Sequence, residues 1–91
     1  MAALEILPDI PYLYFDLGNL HCLSSNMVEA IDNYDMALKL YPDMGEAHFN
    51  RGLVLIYLKD REKGCIDLSR AGELGIADAY SVISKYCDRD E

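Results

Sequence analysis

Apolar and small residues recur along this chain at steps of three and four. Tyr14, Leu17, Gly18 and His21 make one stripe, and Ala30, Ile31, Tyr34, Ala37 and Leu38 make the next. That spacing places each set on one face of an α-helix, where a strand would show alternation. The pattern predicts helices near 11–23, 27–41, 45–58, 61–74 and 77–87. Asn26-x-x-Glu29 and Asp43-x-x-Glu46 read as capping-box-like starts, in which a side-chain oxygen accepts first-turn amide protons; Asp60 and Asp78 are weaker starts. Pro42 cannot continue a helix and Gly75 tolerates a left-handed cap, so each ends the helix before it.

The pattern also repeats. Ala3-Leu4 and Pro8-Asp9 return as Ala37-Leu38 and Pro42-Asp43, displaced by 34 residues. The same shift carries Phe15-x-x-Gly18 onto Phe49-x-x-Gly52, Ala37 onto Ala71 and Leu40 onto Leu74. Each period therefore holds two helices.

Tyr14-x-x-Leu17-Gly18-x-x-His21, followed by Ala30-x-x-x-Tyr34-x-x-Ala37 and Pro42, resembles the tetratricopeptide repeat. Gly18 and Ala30 suit close approach of paired helices, since glycine's helix penalty of roughly 1 kcal/mol is offset only where something packs tightly on it. Tyr14 and Tyr34 fill the wider gaps. The second repeat is similar but drifts, with His48, Arg51, Gly52, Leu55, Gly64, Leu68, Ala71 and Ile76 in the matching places; Arg51 replaces a leucine and Ile76 a proline. Further on, Ala71-x-x-Leu74-Gly75-x-x-x-Ala79 is similar to the related Sel-like repeats. The resemblance implies an all-α, right-handed superhelical solenoid of antiparallel helix hairpins with about five helices. Residues 1–10 then read as the remnant of a preceding repeat or a linker, 11–44 as the first repeat, 45–78 as a second tetratricopeptide or Sel-like repeat, and 79–91 as a capping helix with an acidic tail. Because Ala3 to Pro8 matches only the last turn of a repeat, the chain is expected to be the C-terminal end of a longer array.

Composition narrows the function classes. A hydrophobic fraction of 52% over 91 residues suits one folded unit, and the longest apolar run, Leu53 to Leu58, is too short to span a bilayer. No basic leader with an apolar stretch follows Met1, so the cytoplasm is the favoured compartment. Sixteen acidic against eight basic side chains give a net charge of −8, which disfavours nucleic acid and anionic membranes. Cys22, Cys65 and Cys87, odd in number and widely spaced, read as small buried thiols rather than a disulfide framework.

No catalytic set, cofactor motif or metal site is expected. The cysteines and histidines lack zinc-ligand spacing, His21 reads as a core residue in place of the usual tyrosine, and His48 as more exposed and without a companion. Cys22 beside His21 points about 100° away on a helix and makes no nucleophile pair with it. The family resemblance instead implies a concave groove lined by the first helix of each hairpin. Its residues here are Tyr12, Phe15, Asp16, Asn19 and Leu23 in the first repeat, and Glu46, Phe49, Asn50, Leu53 and Tyr57 in the second, with Tyr80 and Ser84 in the cap. Phe15, Phe49 and Leu53 are equally suited to packing between repeats. Asn19 and Asn50 suit hydrogen bonds to a partner's backbone, and the aromatic and acidic lining suits a hydrophobic or cationic peptide. A family clamp for the acidic C-terminal tail of chaperones is not expected, because Phe15, Tyr80 and Ser84 stand where its cations belong. The function expected is therefore a protein-binding scaffold and not an enzyme. The alternatives are self-association by stacking of repeat ends, or service as the regulatory end of a larger protein.

Overall fold

The computed structural model describes residues 10–87, which form five helices: α1 (Ile10–Leu23), α2 (Met27–Leu40), α3 (Gly45–Tyr57), α4 (Arg61–Glu73) and α5 (Asp78–Tyr86). There is no strand among the described residues. The helix stretches predicted from spacing agree with these to within a residue or two. Of the repeat remnant read at 1–10, residues 1–9 lie outside the described residues and Ile10 belongs to α1; the tail at 88–91 also lies outside them.

Each helix packs on the next in chain order, and α1 also touches α3. The molecule measures 57 × 27 × 18 Å along its principal axes. Within the first hairpin the predicted stripe is the core: Ala30, Tyr34, Ala37 and Leu38 are buried on α2. Gly18, the one buried residue of α1, lies against the Tyr34 ring, where an added Cβ would come within 2.6 Å of ring carbon. The second hairpin closes by backbone approach. A Cβ on Gly52 of α3 would lie 2.9 Å from the Gly64 carbonyl of α4, and one on Gly64 would lie 2.9 Å from the Gly52 carbonyl. Met44 and Ala47 join Ala37 and Leu38 in one cluster, so the first turn of α3 locks onto the end of α2. Phe15 packs against this cluster and against the one formed by Ala30, Tyr34 and Val54.

The turns carry the repeat in their hydrogen bonds. The amide of Asn26 donates to the His21 carbonyl at 2.8 Å, and that of Asp60 to the Leu55 carbonyl at 2.8 Å. The preceding residues, Ser25 and Lys59, have φ of 65° and 74° and donate to Cys22 and Ile56. These are Schellman endings one period apart, with non-glycine residues held in the left-handed conformation. Gly75, with φ 103°, ends α4 the same way. Starts are less well caught by the motifs. Asp60 caps α4 through the amide of Lys63 at 3.4 Å, whereas Asn26 makes no side-chain cap and Met44, not Asp43, is the cap residue of α3. Asp43 instead pairs with Arg70 of α4 at 3.0 Å.

Two expectations are corrected. Cys65 and Cys87 form a disulfide that joins α4 to the end of α5, with Cα atoms 5.9 Å apart, and Cys22 is the free thiol. Wide spacing in sequence conceals their adjacency on neighbouring helices. His48 is not an exposed solitary histidine: its Nε2 lies 2.9 Å from the Pro42 carbonyl and its Nδ1 3.3 Å from Asp67.

Candidate functional site

The residues marked for a groove in the two repeats lie on α1 and α3, and those in the cap, Tyr80 and Ser84, lie on α5. Steps of four, three and four bring Tyr12, Asp16, Asn19 and Leu23 into line on α1, and Glu46, Asn50, Leu53 and Tyr57 repeat the arrangement on α3. Three meetings connect the two rows. Tyr12 lies close enough to Glu46 that its hydroxyl is held above the usual range, by partial burial and then by the Glu46 charge and Tyr41. Asn50 Nδ2 donates to Asn19 Oδ1 at 2.9 Å. Leu23 and Leu53 face each other across a hollow of about 340 Å³, whose floor is Tyr34, Cys22 and Val54. These pairs keep the same order along both helices, so α1 and α3 run side by side in the same direction.

The amides at the centre are partly committed. Asn19 Oδ1 accepts from both the Tyr34 hydroxyl and Asn50, and the Cys22 sulfur lies 3.5 Å from that hydroxyl. Burial, with Cys22 adding to it, pushes the Tyr34 hydroxyl well above its ordinary pKa near 10. Tyr34 thus acts as a neutral donor that fixes the Asn19 rotamer. Asn19 Nδ2 and Asn50 Oδ1 make no bond to the described residues, and neither is among buried unpaired atoms. The Asn19 amide nitrogen and the Asn50 amide oxygen at the middle of the row are thus left unpaired by the described residues without being sealed from solvent.

Exposure sorts the remaining positions. Tyr12, Asp16, Leu23, Glu46, Leu53 and Tyr57 are exposed, Leu23 by 83% and Tyr57 by 68%. Phe15 and Phe49 are half-buried; the Phe15 ring sits 6.2 Å from Tyr12 and 5.9 Å from Tyr34, spending its area between helices. Tyr80 is exposed but leans on Gly72 of α4, where its ring would meet an added Cβ at 2.7 Å. Ser84 is exposed on α5. The structure does not bring Tyr80 to the row. It is Tyr86 of α5 that shares a hollow of about 610 Å³ with Leu53, Ile56, Tyr57 and Lys59. Tyr86, Cys22 and Val54 were not marked from sequence, because each stands off the face that the repeat assigns to the groove.

A third hollow, of about 350 Å³, opens between α2 and α4 beside Ile31, Leu55 and Ile66. Arg51 lies in it, donating from Nε and Nη2 to Asp67 at 2.7 and 2.8 Å and from Nη1 to Asp35 at 2.7 Å. These bonds hold its guanidinium above its usual pKa, Asp67 foremost. Arg51, which departs from the repeat pattern, is thus bound to carboxylates on α2 and α4, and Asp67 is 5% exposed. The charges here satisfy one another. Among the described residues no group of three or more His, Cys, Asp or Glu is placed to hold a metal ion, and no helix is long and apolar enough to cross a membrane.

No protein-family model matches this chain, and no curated protein is similar to it by sequence.

Proposed function

We propose that the chain is a tetratricopeptide-like solenoid, a right-handed stack of helix hairpins, which binds a peptide or a partner helix along the shared face of α1 and α3. The observation that carries this reading is the pairing of Asn19 with Asn50 between two parallel rows of exposed side chains. An occupant there would meet aromatic and aliphatic area from Tyr12, Leu23, Leu53 and Tyr57, and one amide donor and one acceptor suited to its backbone. The scaffold is set before binding, since Tyr34 and Asn19 fix the centre of the row and the occupant need not order it. The 34-residue return of the turn geometry at Ser25 and Lys59 supports stacked repeats. No reacting group is assigned, and the role is that of a scaffold.

Selection from a random peptide display library against the intact chain tests this. Enriched peptides are expected to lose binding to Leu53→Ser and to keep it with Ile66→Ser, which alters an exposed position on α4 away from the row. Peptides that ignore Leu53→Ser and depend on Ile66 would refute the assignment.

Self-association is a second reading with its own observation. Ile10, Leu13, Leu17 and Leu20 make an apolar stripe on α1, and Ile10, Leu13 and Leu20 are 44%, 56% and 58% exposed. Sedimentation equilibrium across a wide concentration range separates the two, since stacking requires mass that grows with concentration.

A further inference from the structure

The two ends of the α1–α3 row differ in chemistry. At the end where both helices begin, Tyr12 stands 6.3 Å from Tyr41 and beside Glu46, with Asp16 one turn further along α1. All four side chains are exposed, and among the described residues neither Asp16 nor Glu46 takes part in an ion pair. Arg51, Arg70 and Lys63 are engaged with other carboxylates. Asp16, one helical turn from an exposed Tyr12, and Glu46 near the same ring make a place where an added cation gains from both charge and an aromatic side chain. Among the described residues no acidic side chain lines the far end: Leu23, Leu53, Tyr57 and Tyr86 surround the two hollows, with Lys59 at the margin.

Resting on the groove assigned above, we propose that its occupant is a polypeptide segment with a basic side chain at the end over Tyr12, Asp16 and Glu46, and aliphatic side chains at the end over Leu23, Leu53 and Tyr57. Charge complementarity selects this chemistry over an acidic segment. A chain of net charge −8 repels acidic segments at long range, and the occupant's cation would neutralise two carboxylates that make no ion pair among the described residues. The helical rise sets the spacing. Asp16 and Leu23 are about 10 Å apart along α1, which an extended peptide covers in roughly three residues. The occupant therefore carries its basic and aliphatic residues close together, separated by a short stretch whose backbone meets Asn19 Nδ2 and Asn50 Oδ1.

Synthetic peptides test the polarity apart from the groove. The probes are a peptide with paired leucines separated from paired lysines by three alanines, made in both sequence orders, and the same peptides with glutamate for lysine. They are offered to the intact, unreduced chain, with fluorescence anisotropy for affinity and the rate of Cys22 alkylation for occupancy, since Cys22 is the free thiol and lines the aliphatic hollow. One lysine peptide is expected to bind on the order of tenfold tighter than its glutamate counterpart and to slow alkylation of Cys22. In the doubly substituted Asp16→Asn, Glu46→Gln chain the preference falls to about threefold or less, while the leucine-dependent protection of Cys22 persists. Both substitutions are isosteric and exposed, and an unchanged circular dichroism spectrum shows that the chain remains folded. Glutamate peptides that bind as tightly as lysine peptides, with Cys22 still protected, overturn the polarity and leave the groove standing. If no peptide slows alkylation at any concentration, the groove fails and the polarity with it.

Discussion

Tyr34 concentrates more of the physics of this chain than any other side chain. It is 1% exposed, closes over Gly18, and turns its hydroxyl to Asn19 at the centre of the proposed binding row. Gly18→Ala drives a methyl group into the ring of a side chain with no room to retreat, and we expect it to cost about 1–3 kcal/mol, read as a lower urea midpoint at unchanged slope. The hydroxyl gives a pH test. Its folded pKa lies above the unfolded value near 10, so below pH 10 both states keep the proton and its contribution to stability is complete. Above pH 10 the unfolded chain releases a proton that the folded chain retains, and stability falls. Among the seven tyrosines, spectrophotometric titration should show one that ionises only as the fold is lost. The sequence pattern had marked both Gly18 and Tyr34 as packing residues from the repeat spacing alone. That the Tyr34 hydroxyl reaches Asn19 was not legible, because a period locates faces and not hydrogen-bond partners.

At the level of elements, helix positions followed directly from apolar spacing, and the endings were more regular than the starts. Ser25 and Lys59 occupy positions that favour glycine, and the exposed Lys59→Gly relieves a left-handed lysine. A gain of about 0.5–1 kcal/mol is expected, visible as a melting temperature a few degrees higher. Capping motifs were weaker guides: Asp43, read as a helix start, is drawn instead to Arg70, an interaction between residues far apart in sequence. The same limit hid the disulfide. Cys65 and Cys87 are separated by 22 residues and meet only because α5 folds back on α4. Ala79 is the one buried residue of α5, so the bond secures an otherwise thinly packed helix. Reduction removes a loop constraint of the size that contributes roughly 3 kcal/mol in chain-entropy terms, and hydrogen exchange should accelerate across Asp78–Tyr86 before it does in α2 or α3. Uniform acceleration across all five helices would show that α5 does not open by itself.

For the whole molecule, the 34-residue period is the feature that sequence and structure share most plainly, in the return of Phe15-x-x-Gly18 as Phe49-x-x-Gly52 and of the turn at Ser25 as the turn at Lys59. The row of candidate site residues follows from it, since a repeat places equivalent side chains on parallel helices. Where the row ends does not follow: Tyr80 was expected on it, but its ring lies against Gly72 of α4, and it is Tyr86 that stands beside Leu53 and Tyr57. Arg51 likewise departs from the pattern for a reason outside the repeat, its two carboxylate partners lying on α2 and α4. The central claim is that one occupant spans both hairpins along α1 and α3. Amide chemical-shift mapping during titration with a lysine-and-leucine peptide tests it most directly. The account predicts shifts that saturate together at Asn19 and Leu23 on α1 and at Asn50, Leu53 and Tyr57 on α3. Shifts confined to α2 and α4 around Ile31 and Ile66, or restricted to a single hairpin, would contradict it.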